Sequence, residues 1–91
     1  STMALYIQRG DVLVPQHVCG DHLSLCASIQ SPMGKGLSGW VAAAGKPILN
    51  GDPSLEFGLH NPALRPSVFA SAISVPLAGS DSFRGALTLY G

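Results

Sequence analysis

Charge is scarce in this chain. Five Lys or Arg and five Asp or Glu among 91 residues make 11% charged, against about 25% in an average globular domain, and they balance to zero. The five cations, Arg9, Lys35, Lys46, Arg65 and Arg84, are scattered, so no basic stripe exists to follow a phosphate backbone. A direct nucleic-acid partner is therefore not expected. No apolar run approaches the ~20 residues of a membrane-spanning helix, and the first residues lack the charged-then-apolar layout of a signal peptide. This predicts a cytoplasmic domain without membrane insertion. Cys19 and Cys26 are the only cysteines, too few for a disulfide-stapled scaffold, and read as reduced thiols whose ordinary role is packing. His17, His22 and His60 show none of the paired spacing of a zinc site, so no metal centre is expected.

What is present is apolar. At 46% hydrophobic content, residues 1–91 describe one small globular domain. The low charge leaves apolar surface for a neighbour. The alternation Ala86-Leu87-Thr88-Leu89-Tyr90 also runs to Gly91 without a following element, so the domain is expected to be a fragment of a larger protein.

Two β-rich runs, residues 4–8 and 12–18, flank Arg9-Gly10-Asp11 and predict a hairpin. Pro15 has no amide to donate, so the second strand must be an edge or bulge there. Residues 20–32 read as extended, because Leu23, Leu25, Ala27 and Ile29 alternate with polar residues, with a helical turn near Asp21 as the alternative. Ser38 is suited to cap a helix, Gly45 to end it in the left-handed conformation, and Pro47 to prevent its continuation. A helix of about seven residues follows, with Leu37, Trp40, Val41 and Ala44 on its buried side. Residues 47–50 read as a short strand. Pro53, Pro62, Pro66, Gly58 and Asn61 mark a long irregular loop, and a second hairpin joins residues 69–77 to 84–90. The whole is an α+β arrangement with a largely antiparallel sheet.

Gly34-Lys35-Gly36-Leu37-Ser38-Gly39 is a literal G-x-G-x-x-G, the pattern of a dinucleotide-binding turn. That turn requires a buried strand before it and a helix long enough to cross a parallel sheet. Gln30-Ser31-Pro32-Met33 is not a strand core, and seven helical residues span only about 10 Å. The glycines are expected to serve the backbone instead: Gly34 and Gly36 in a tight turn, Gly39 in a close helix–sheet approach.

In order, the first hairpin, Gly-Lys-Gly-Leu-Ser-Gly-Trp-Val-Ala-Ala-Ala-Gly-Lys-Pro-Ile-Leu (34–49), Asn-Gly-Asp (50–52), Ser71-Ala72-Ile73-Ser74-Val75-Pro76-Leu77 and Arg84-Gly85-Ala86-Leu87-Thr88-Leu89 resemble the GAF domain family over essentially the whole chain. The family's N-terminal and C-terminal helices are missing. The resemblance implies a GAF-like sheet of five to six strands, with a short central helix and a long loop roofing a ligand pocket on one face. It further implies a regulatory module that senses a small molecule for an attached output domain, such as a histidine kinase, a diguanylate cyclase or a transcriptional regulator.

Narrower subclasses differ at identifiable residues. The Asn-Lys and Asp-Glu pairs associated with cyclic-nucleotide binding are absent, as is the bilin-type Pro-x-Ser-Asp-Ile-Pro. In the free methionine sulfoxide reductase subclass a cysteine replaces the serine of the Gly-Leu-Ser-Gly turn and another lies in the following loop. Here Ser38 holds the first position and residues 53–68 contain no cysteine. The expectation is a domain without catalytic residues. Trp40, Phe57, His60, Arg65, Phe69 and Ser71 are the candidate pocket residues: aromatic floor, loop donors and a position in the strand read over residues 69–77. No cofactor is specified, and the expected partners are a small-molecule ligand and a second copy in a homodimer. The alternative readings are a dimerisation module that binds no ligand and a thiol reductase using Cys19 or Cys26.

Overall fold

The structure, a computed structural model, describes residues 1–21, 26–27, 30–53, 55, 70–79 and 83–91. Within them the chain forms β1 (Thr2–Arg9), β2 (Val12–Gly20), β3 (Ser31–Pro32), helix α1 (Ser38–Ala44), β4 (Ile48–Gly51), β5 (Ala72–Ala78) and β6 (Arg84–Tyr90). All six strands join one sheet in the order β3-β2-β1-β6-β5-β4, and each neighbouring pair is antiparallel. The α+β expectation of five to six antiparallel strands with one short helix holds.

Both predicted hairpins form. Gly10, at φ 64, opens the two-residue turn between Arg9 and Val12, which pair across it. Leu5 pairs with His17 but Tyr6 with Pro15, so Gln16 is extruded as a bulge beside the proline. Pro15 also lies beyond reach of β3, which covers only Val12 and Leu13, so it interrupts no ladder on that edge.

Two segments differ from expectation. Cys26 and Ala27 are helical, not extended, and Cys26 is fully buried in the core with Leu37 and Val41. Burial of one apolar side chain is compatible with either periodicity in so short a stretch. Ser31–Pro32 forms a short strand against β2, fixed further by the Met33 amide donating to the Asp11 carbonyl at 2.9 Å.

α1 lies over β5 and β6 and buries Ser38, Gly39, Val41 and Ala42, with Leu37 just before it. The expected buried side is thereby corrected, because Trp40 is 40% exposed and Ala44 lies outside. The reason is proximity. A Cβ at Gly39 would stand 2.3 Å from the Pro32 carbonyl oxygen, so the helix seats its small residues against the sheet and turns the indole away from that contact. Gly45 ends the helix as predicted, at φ 69, with its amide donating to the Val41 carbonyl at 2.9 Å. No helix among the described residues is long and apolar enough to cross a membrane.

Candidate functional site

The register of the central strands builds the inner face row by row. Ser74, Thr88, Ala4 and Val18 lie side by side across β5, β6, β1 and β2. On one side of that row stand Ala72, Tyr90 and Thr2, and on the other Pro76, Ala86 and Tyr6. Ala4, Ala72 and Ala86 are small, and Thr2, Tyr6, Ser74, Thr88 and Tyr90 carry hydroxyls; all eight are buried. A face meant only for packing favours aliphatic side chains, whereas this one sets alanines and small hydroxyl-bearing residues around the two largest fully buried side chains, Tyr6 and Tyr90.

Its hydroxyls form two clusters. Thr88 Oγ1 lies 2.7 Å from Ser38 Oγ and 2.8 Å from Ser74 Oγ, tying α1 to β6 and β5. The phenol oxygens of Tyr6 and Tyr90 meet at 2.6 Å. Their positions differ by four residues along the paired strands, about 14 Å at ~3.4 Å per residue, so the two rings must lean towards each other along the sheet. They meet above the row of Ala4 and Thr88, and a large side chain at Ala4 would occupy their space.

Ser38 departs from its predicted role. The helix cap is Leu37, in αR geometry with no side-chain cap bond, and Ser38 is the first helical residue with its hydroxyl on Thr88. The glycine motif is architectural, as expected. Gly34 and Gly36 adopt φ 85 and 68, the Gly34 amide donates to the Gly39 carbonyl at 2.9 Å, and the Lys35 amide donates to the Pro32 carbonyl at 3.1 Å. Amides engaged in this way do not cradle a pyrophosphate, and the all-antiparallel sheet is not a dinucleotide fold.

Of the candidate pocket residues, Trp40 stands on the exposed side of α1. Ser71 is exposed just before β5, its backbone paired with Gly91 in both directions at 3.1 and 2.9 Å. Phe57, His60, Arg65 and Phe69 lie outside the described residues. The residues brought together instead are Tyr6, Ser38, Ser74, Thr88 and Tyr90, which sequence reasoning did not single out. Their signal was present: hydroxyls and alanines alternating with aliphatic residues in β5 and β6. Cys19 is exposed on β2 and Cys26 buried, and neither thiol is in a disulfide.

No family model matches the chain, and no curated protein does. Solved structures do. A free methionine-R-sulfoxide reductase from Neisseria meningitidis, in complex with its substrate, is 24% identical over 99% of this chain and 51% of its own, with a TM-score of 0.71. The GAF domain of a phosphoenolpyruvate-protein phosphotransferase from Coxiella burnetii is 20% identical over 98% of this chain and 55% of its own, TM-score 0.71. The fold is GAF-like. A third neighbour is the NreA protein of Staphylococcus aureus, mutated in its nitrate binding site. It is 21% identical over 98% of this chain and 72% of its own, TM-score 0.71. This GAF-like chain spans about half the length of the first two.

The reductase corrects one expectation. Ser38 and the cysteine-free stretch 53–68 led to a domain without catalytic residues, but the same architecture over the same span belongs to an enzyme holding its substrate. One residue type at one turn does not decide whether a GAF-like scaffold is catalytic, and Cys26 places a thiol inside the core.

Proposed function

We propose that this GAF-like domain binds a small molecule over the inner face of its sheet and regulates a larger cytoplasmic signalling protein of which it is one part. The observation that carries this reading is the composition of that face: buried hydroxyls and alanines where packing alone favours bulky aliphatic groups. The ligands of the nitrate-binding and sulfoxide-reducing neighbours support it, and the GAF domain that belongs to a phosphotransferase supports attachment to further domains. Thiols outside any disulfide fit a reducing compartment. Trp40, Phe57, His60, Arg65, Phe69 and Ser71 are proposed as the wall and loop side of the site. Calorimetry and thermal shift of the full chain with nitrate, free methionine-R-sulfoxide and a metabolite set test the proposal. Saturable binding that raises stability by about 2.7 kcal/mol at a hundredfold excess over Kd supports it. Absence of any binder across the set sinks it.

The outer sheet face suits a homodimer or a neighbouring segment. Met3, Leu89 and Ile73 form one apolar row there, at 41%, 43% and 43% exposure. Sedimentation equilibrium that finds only monomer at high concentration removes the homodimer. A second reading, thiol-dependent reduction of a small sulfoxide, is favoured by the likeness to the reductase. It requires turnover of free methionine-R-sulfoxide that disappears in Cys26→Ser; no turnover by the unaltered chain disposes of it.

A further inference from the structure

Asn50 and Asn61 are the only asparagines of the chain, and they differ in the residue that follows. Asn61 precedes Pro62, which has no amide N–H, whereas Asn50 precedes Gly51, whose amide has no side chain beside it. An asparagine carboxamide is attacked by the backbone nitrogen of the next residue, which must give up its proton. Glycine there offers the least hindrance to the five-membered ring that forms. Only Asn50 meets both conditions.

The fold holds this pair in place and leaves it accessible. A Cβ at Gly51 would stand 2.7 Å from Leu37 Cδ1, 3.1 Å from Ile48 Cγ2 and 3.3 Å from the Ala72 carbonyl oxygen. Leu37 is fully buried, so the packing beneath β4 favours glycine at this position. Asn50 itself is exposed. β4 is the last strand of the sheet, so its ladder runs along one side only. On that side Ile48 pairs with Ser74 and Gly51 with Ala72, which leaves Leu49 and Asn50 together opposite Ile73 as a bulge. A bulge disrupts the ladder locally, so the link between Asn50 and Gly51 can turn towards the ring geometry without unfolding of the domain.

We infer that Asn50 deamidates spontaneously in the folded domain, which makes residue 50 a modification site beside the seat of α1. The Gly51 nitrogen bonds to Asn50 Cγ, the Cγ–Nδ2 bond breaks, and Nδ2 leaves as ammonia with the proton that Gly51 gave up. Water then opens the succinimide at one of its two carbonyls and returns a proton to the nitrogen. Opening at Cγ leaves aspartate. Opening at the backbone carbonyl carbon leaves isoaspartate, with the chain running through Cβ and Cγ. Either product adds a negative charge to a chain whose charges balance. Isoaspartate also inserts a methylene into the backbone just before the glycine that packs on Leu37, the cap of α1.

The test ages the full chain at physiological temperature and mildly alkaline pH, natively and unfolded in guanidinium chloride, and follows both asparagines by peptide mapping with mass spectrometry. The native chain is expected to convert Asn50 at a rate within about tenfold of the unfolded chain, with Asn61 unchanged. Part of the product is expected to accept a methyl group from an isoaspartate carboxyl methyltransferase. Asn50→Gln, which would have to close a six-membered ring, is expected to stay unmodified over the same period. Protection of Asn50 in the native chain beyond about tenfold overturns the inference, since the fold then holds the link against ring closure. The isoaspartyl fraction, separated by ion exchange, is expected to melt below Asn50→Asp, which carries the charge without the added methylene. Equal melting overturns the connection to α1.

Discussion

Ser38 Oγ sits 2.7 Å from Thr88 Oγ1, so the side chain best suited to cap α1 is bonded to the sheet beneath it. Thr88 is shared, because Ser74 lies 2.8 Å away on its other side. One residue of β6 thus holds a helix and a neighbouring strand through a single buried oxygen.

Thr88→Val keeps the shape and removes that oxygen, which deprives two buried hydroxyls of their common partner. Leaving a buried polar group unmatched costs about 1–3 kcal/mol. The expected outcome is a loss in this range by urea denaturation. A domain of this size then melts lower by about 4–8 °C for each kcal/mol. Thr88→Ser, which loses only a methyl, is expected to cost less than Thr88→Val. The reverse order would show that the methyl, not the hydroxyl network, holds this position.

Tyr6 and Tyr90 give a separable measurement because their oxygens meet each other at 2.6 Å across paired strands. Tyr6→Phe and Tyr90→Phe each remove one partner, with an expected cost of about 1–2 kcal/mol. The double substitution is expected to cost less than the sum of the two, since the first change has already broken the bond that the second would remove. A cycle that closes additively within about 0.3–0.5 kcal/mol argues that the pair is not coupled.

How much of this could be read in advance depended on distance along the chain. The hairpin turns and the Gly45 stop follow from local chemistry, since each requires a backbone conformation set within a few residues. The meeting of Tyr6 with Tyr90 spans 84 positions and depends on β1 lying against β6, which no local pattern dictates. Ser38 shows the same limit in one residue. Its type favours a cap, but Thr88, fifty positions away, competes for the same hydroxyl and wins. Trp40 was misplaced because helical spacing alone cannot report that Gly39 must touch the Pro32 carbonyl.

That contact predicts a contrast between two glycines of the same segment. A methyl at Gly39 meets backbone oxygen at 2.3 Å, so Gly39→Ala must push α1 away from β3. The expected cost is about 3 kcal/mol, the upper end of overpacking effects. Gly45 has open space around it and is constrained only by its left-handed φ of 69, so Gly45→Ala is expected to cost about 1–2 kcal/mol. Amide chemical shifts locate the difference. Gly39→Ala is expected to perturb Ser31 and Met33, and Gly45→Ala only the helix end. Equal costs with no change in β3 would refute the close approach.

The two cysteines differ most in access, and the difference bears on whether a thiol can act in this domain. Cys19 is exposed on β2, at the position paired with Met3, whereas Cys26 is buried in the core with Leu37 and Val41. A thiol reagent reaches the first directly. It reaches the second only when the protein opens, so labelling should proceed as one fast and one slow event with an Ellman-type reagent. Cys19→Ser is expected to abolish the fast phase, and mild denaturant to accelerate the slow one. The outcome also constrains the thiol reading of the function. If Cys26 reacts as fast as Cys19 in the native chain, it is accessible to a substrate after all; if it stays protected, reduction of a sulfoxide by Cys26 requires local opening first. A ligand bound to the inner face should slow the Cys26 phase further, because it stabilises the closed state by mass action. An unchanged slow phase at saturating ligand would mean that opening around Cys26 is independent of the face formed by Ser74, Thr88 and Tyr90.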